Sequence, residues 1–191
     1  MALGFQRVGD RVSTQLEPVE QMLITALIDE LSEILRRPDE PDRAEIDPLA
    51  RELGLEGLTG HAPDPPDNPI AARLLPDGYR DDLEAALEFR RYTDDSLRAT
   101  KLADAEVMRA GLESAADDPE GRIEIELAEA DHWVRAINDL RLALGVELGI
   151  ADDPSGSADR WVGNERMEGR AMLYDFLTWW QDGLVLSLMG E

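Results

Sequence analysis

Residues 133–148 read Trp133-Val-Arg-Ala-Ile-Asn-Asp-Leu-Arg-Leu-Ala-Leu-Gly-Val-Glu-Leu148. Trp133, Ile137, Leu140, Leu144 and Leu148 recur at steps of four, three, four and four, which lines one face of an α-helix. The pattern extends back to about Glu124 and ends at Gly149. Working outward from it, the chain repeats the same theme. Asn164 to Met189 predicts a last helix, with Leu173, Phe176, Leu177, Trp180, Leu184 and Leu188 on one side. Met172, Trp179 and Leu186 lie partly off that side.

Upstream, Tyr79 to Tyr92 predicts one helix, and Thr93, Asp94 or Asp95 caps a longer one carrying Leu97, Leu102, Ala105, Met108 and Leu112. Asn68-Pro69 caps a short helix through Leu74-Leu75, and Asp47 to Leu55 gives another short helical stretch. Glu17-Pro18 opens a helix with Val19, Leu23, Ala26, Leu27, Leu31, Ile34 and Leu35 at helical spacing, widened by Ile24 and Ile28. Before it, Phe5–Val8 and Arg11–Leu16 roughly alternate around Gly9-Asp10, the signature of a β-hairpin with a two-residue turn. The fold class expected is all-α, about six helices in one bundle-like domain over residues 1–191, with a small N-terminal β-hairpin. Residues 38–69 hold seven of the eleven prolines and predict an extended, mobile surface loop.

Of the 191 residues, 43% are hydrophobic, enough for a core, while 42 Asp and Glu face 19 Lys and Arg for a net charge of −23. Only one of those 19 is a lysine, Lys101, and there is no cysteine. Zinc–thiolate sites, disulfides and cysteine nucleophiles are therefore excluded. Wholesale phosphate neutralisation on nucleic acid is disfavoured. No uncharged run approaches a membrane span and the first residues lack an apolar signal core, so a soluble, cytoplasmic protein is expected.

The charge is uneven. Residues 17–68 carry −10, residues 94–132 carry −8 and residues 152–191 carry −5, whereas residues 69–93 carry −1 and residues 133–151 are balanced. Both balanced segments interleave arginine with apolar residues: Arg73, Arg80, Arg90 and Arg91, then Arg135 and Arg141. One reading is a packed helix pair whose arginines are matched by Asp81, Asp82, Glu84, Glu88 and Asp139. In it Arg141, between Leu140 and Leu142, pairs with a carboxylate of residues 81–88. The other is a recognition surface for an acidic partner.

Catalytic constellations are sparse. Glu129-Ala-Asp-His132 places a carboxylate and an imidazole on one helix face, as di-iron bundles do, but the other histidine, His61, lies in the Pro-rich segment. A metalloenzyme built on Glu129 and His132 is thus the remotest reading, set against a surface histidine beside Trp133. Adjacent carboxylates such as Asp81-Asp82 and Asp117-Asp118 point to different faces and read as caps and turns. Neither a phosphate-cradling glycine motif nor a nucleophile elbow is present. No cofactor, metal or enzymatic activity is expected. The apolar stretch Leu173–Met189, with two of the four tryptophans, is either central to the core or the interface of a homodimer.

Three blocks stand out together: Arg73-Leu-Leu-Pro-Asp-Gly-Tyr-Arg-Asp-Asp82 with Glu88-Phe-Arg90, Asn138-Asp-Leu-Arg-Leu-Ala-Leu-Gly145, and Leu177-Thr-Trp-Trp-Gln181. Over essentially the whole chain they resemble an actinobacterial family long catalogued as a domain of unknown function. That family is described as AosR-like oxidative-stress transcriptional regulators, typically encoded beside the Clp adaptor ClpS. The resemblance implies a non-enzymatic regulator acting through protein partners, with RNA polymerase or sigma-factor components as candidates. Cysteine redox sensing, the mechanism tied to that description, cannot operate in a chain without cysteine. The candidate partner contacts are Arg73, Tyr79, Arg80, Arg90, Arg91, Arg141, Trp179 and Trp180. Direct DNA binding is the second reading and would need residues 79–91 as an exposed basic helix.

Overall fold

The structure is a computed structural model and describes residues 3–36, 64–79, 81–116, 118–150 and 163–190. Gly9, with φ +67°, turns strand β1 (Leu3–Val8) into β2 (Arg11–Gln15), so the hairpin forms where the alternation predicts it. Val8 faces Arg11 and Arg7 faces Val12 across the pair.

A third strand, β3 (Arg122–Glu126), lies antiparallel on β2, with Val12 opposite Ile125 and Thr14 opposite Ile123. This corrects the reading of a helix from Glu124, and the fold is a mostly helical domain with a three-stranded sheet rather than all-α with a hairpin. The physical cause is a strict alternation. Ile123 and Ile125 are buried while Arg122, Glu124 and Glu126 are exposed, and Arg11 bridges both glutamates, at 2.8 Å and 2.7 Å. Gly121, at φ +64°, turns the chain into β3, and a β-carbon there would lie 2.4 Å from the Leu16 carbonyl oxygen.

Helix α1 (Pro18–Leu35) starts where Glu17-Pro18 predicts it. The Glu17 backbone N–H donates to Glu20 Oε2 at 2.8 Å in a capping box. Its buried face is Gln21, Ile24, Leu27, Ile28, Leu31, Ser32 and Leu35. The expected stripe is therefore rotated, leaving Val19, Leu23 and Ala26 exposed. Helix α2 (Pro69–Leu74) is capped by Asn68, whose Oδ1 accepts from the Ile70 and Ala71 amides.

Helix α3 (Leu83–Ala116) is one 34-residue helix, not the two expected. Thr93, Ser96 and Thr100 donate their hydroxyls to the Phe89, Thr93 and Ser96 carbonyls, so these residues bond along the helix instead of starting one. The operative cap is Asp82, whose Oδ1 accepts from the Ala85 amide. Helices α4 (Ala130–Glu147) and α5 (Glu165–Met189) complete the set, the latter capped by Asn164 and ended by Gly190 at φ +82°. Five helices thus stand among the described residues where about six were expected. The Asp47–Leu55 stretch and most of the 38–69 segment lie outside the described residues.

Helix α4 packs against α3 on one side, α5 on the other, and α2 besides, while α5 runs across β1. The sheet's inner face meets the helices at Trp180, which has no exposed surface. Its ring stacks on Phe5 at 5.1 Å and meets Trp133 edge-on at 5.9 Å. The Trp180 indole N–H donates to Thr14 Oγ1 at 3.2 Å, and that hydroxyl donates to the Leu3 carbonyl, so the buried polar tip is satisfied.

Candidate functional site

Four places on this scaffold carry chemistry or open surface. Buried carboxylates lie along α3 and across its interface with α4. Asp94 holds Arg98, which also donates to the Leu35 carbonyl at 2.8 Å. Asp139 accepts twice from Lys101, at 2.7 and 3.0 Å. Asp104 accepts twice from Arg135, at 2.8 Å each, and meets His132 Nδ1 at 2.6 Å. Burial pushes the Asp104 carboxyl up, but the Arg135 and His132 hydrogen bonds outweigh it and hold it below the usual carboxylate range. At Asp139 burial wins over Lys101, and the carboxyl is raised. The lone lysine of the chain is thus committed to this interface.

A notch of about 190 Å³ opens between α2, α4 and α5, lined by Arg73, Arg141, Gly145, Ile150 and Tyr174, with no carboxylate among the described residues of its walls. Arg141 lies 5.7 Å over the Tyr174 ring, donates from Nε to Thr178 Oγ1 at 3.0 Å and bonds Gln181 Oε1. The expected pairing with residues 81–88 is therefore replaced by polar groups of α5, because Arg141 faces that helix. Arg73 is exposed and makes no hydrogen bond or ion pair among the described residues.

Along α5, Met172, Trp179 and Leu186 are exposed at seven-residue spacing, with Val185, Met189 and Leu3 of β1 also exposed. Trp179 is 48% exposed and packs against Phe176, and a β-carbon on Gly4 would lie 3.6 Å from its Cζ2. Seven residues are two helical turns, so the three side chains share one outward line.

The fourth place is a groove of about 920 Å³ between the start of α1, the end of α3 and the turn into β3. Met22, Ala26, Leu112 and Ala116 lie along it, with Glu17, Asp29, Glu113, Asp118 and Glu120 as its charged residues.

A family model described as a domain of unknown function, DUF2017, matches residues 2–188. The chain belongs to this family. Relatives named "Oxidative stress regulator AosR" in Mycobacterium tuberculosis (strain ATCC 25618 / H37Rv) and Mycobacterium bovis are 36% identical over 194 residues, covering 97% of this chain and 85% of theirs. A Mycobacterium leprae relative, "Putative oxidative stress regulator AosR", is 32% identical, covering 95% and 84%. No solved structure matches.

In this DUF2017 protein the seven described residues of the eight singled out from sequence are spread over several places. Arg73 and Arg141 share the notch. Tyr79 is exposed and packs edge-on against Phe89, its ring centroid 6.3 Å away. Arg90 is 6% exposed and bonded to Asp77, its Nε and Nη1 without a partner among the described residues. Arg91 lies 5.8 Å over the Tyr92 ring, and Arg80 lies outside the described residues. Trp179 faces solvent, but Trp180 is the centre of the core and has no surface to offer a partner. Of the proposed pair, Glu129 is exposed while His132 is taken up by Asp104 and Arg135. Among the described residues no three metal-ligating side chains cluster, and no helix is long and apolar enough to cross a membrane.

The groove was missed from sequence. Its signal was the surplus of apolar residues on α1, of which Val19, Met22 and Leu23 turn out to face outward.

Proposed function

We propose that the chain is a cytoplasmic regulator, non-enzymatic, that acts by contacting another protein, with RNA polymerase or sigma-factor components as the partners to test. The relatives' names point to regulation in oxidative stress. The observation that carries a contact mechanism is the exposed line Met172, Trp179 and Leu186 on α5. Large apolar side chains, an aromatic among them, repeat there without a covering element among the described residues. Without cysteine the chain cannot signal by thiol oxidation.

Direct DNA binding has weaker support. On the proposed basic helix Arg90 is buried, and Asp82, Glu84 and Glu88 are exposed beside Arg91. The test is size-exclusion co-migration of the full chain with purified actinobacterial RNA polymerase core and individual sigma factors. Co-migration that Trp179→Ala abolishes supports the reading. Its absence with all of them overturns it, as does a low-salt mobility shift of DNA by the chain alone. Dimerisation that Trp179→Ala disrupts would instead assign the line to a second copy.

A further inference from the structure

We infer that the groove between α1 and α3 receives a basic, amphipathic helix of a protein partner. This rests on the reading of the chain as one that works through protein contacts, and it assigns that contact a second place and a chemistry. The floor is apolar and adaptable. Met22, 62% exposed, has a flexible, polarizable side chain that fits varied apolar partners, and Ala26 and Ala116 leave room for them. A volume of about 920 Å³ is a berth for several large side chains from one helix face.

The walls favour cations. Among the described residues, five carboxylates and no basic side chain line the groove. Arg109 and Arg122, from outside it, hold Glu113 and Glu120. Asp29 and Asp118 have no cation bonded to them among the described residues. Helix α3 also ends here with no basic residue in its last turn, so the negative end of a 34-residue helix faces the same space unneutralised.

The experiment titrates the full, isotope-labelled chain with a peptide of about 18 residues, five helical turns, made of Leu and Arg with one apolar stripe. Amide shifts confined to the first turns of α1 and the last turns of α3 are expected. Ala26→Arg, on the exposed groove wall, should weaken binding about tenfold or more, while Ala72→Arg, the same charge on exposed α2, should change it less than about twofold. Equal losses in the two variants overturn the inference, because they mean unselective attraction to an acidic chain. So does equal binding of a peptide of the same composition in scrambled order, or no binding to the unaltered chain. Co-migration with transcription proteins alongside any of these outcomes removes the groove and leaves the regulatory reading standing.

Discussion

Gly111 on α3 and Trp133 on α4 meet face to face, so closely that a β-carbon on residue 111 would lie 2.5 Å from Trp133 Cζ2. The indole is buried and cannot retreat, since its far side meets Trp180. Glycine is therefore the residue that lets α3 and α4 close around the aromatic core. Gly111→Ala gains helix propensity but must push the ring, and overpacking of this kind costs about 1–3 kcal/mol. The expected result is a midpoint lower by several degrees in thermal unfolding, with altered near-ultraviolet circular dichroism from Trp133. An unchanged midpoint would show that the helices part without cost.

The two buried carboxylates of the α3–α4 interface should respond to acid in opposite senses. Asp104 is held below its ordinary range, so its contribution is present above the unfolded-state value and is lost as pH falls through the folded one. Asp139 is raised, so the folded state takes up its proton first, and stability attributable to it increases as pH falls through that raised value. Asp139→Asn should remove the upper feature from a plot of stability against pH, and Asp104→Asn the lower. At neutral pH Asp104→Asn should cost about 1–3 kcal/mol, because Arg135 and His132 lose their charged partner. Asp139→Asn should cost less, since it also relieves a buried charge. Denaturant unfolding between pH 3 and 8 measures both.

Local signals account for what was readable in the sequence. Gly9-Asp10, Asn68-Pro69, Glu17-Pro18 and Asn164 each satisfy a turn or cap within a few residues, and each element begins where expected. The misses share a cause. Ile123-Glu-Ile125 presents only two inward positions, too few to separate a strand from the apolar spacing of Leu127 and Ala130 beyond it. Thr93 and Asp94 carry capping chemistry that the helix interior satisfies equally well. On α1 apolar residues occur nearly all round, so periodicity could not choose between Leu23 and Ile24 as the inward residue. The bonds from α3 to α4 were unreadable because they are long-range: Lys101 and Asp139 are 38 positions apart, and Asp104 and Arg135 are 31 apart. The contact residues divided likewise. Periodicity puts Trp180 on the apolar side of α5 and Trp179 partly off it, yet both stay partner candidates on sequence alone, because only the position of Phe5 and Thr14 shows Trp180 wholly enclosed.

Methionine oxidation should follow exposure. Met22, Met172 and Met189 are more than half exposed, whereas Met108 is fully buried. Under dilute hydrogen peroxide each thioether takes one oxygen atom, with release of water, to give the sulfoxide. Peptide mapping should find the three exposed residues modified well before Met108. Modification of Met108 at the same rate would mean that the α3 core opens readily.

The adjacent tryptophans offer the sharpest contrast. Trp180→Ala removes a fully buried ring stacked on Phe5 and Phe176, and takes away the indole donor to the Thr14 hydroxyl, for a cost of about 3–5 kcal/mol. Trp179→Ala removes a half-exposed ring whose only ring contact among the described residues is Phe176, and should stay within about 1 kcal/mol. In a Trp161→Phe background, which removes the tryptophan outside the described residues, acrylamide quenching should fall in Trp179→Ala, because Trp133 and Trp180 remain shielded. A Trp179→Ala protein as destabilised as Trp180→Ala would show that residue 179 is part of the core's support. It would then be no marker of an open contact surface, and the proposed line along α5 would lose its central residue.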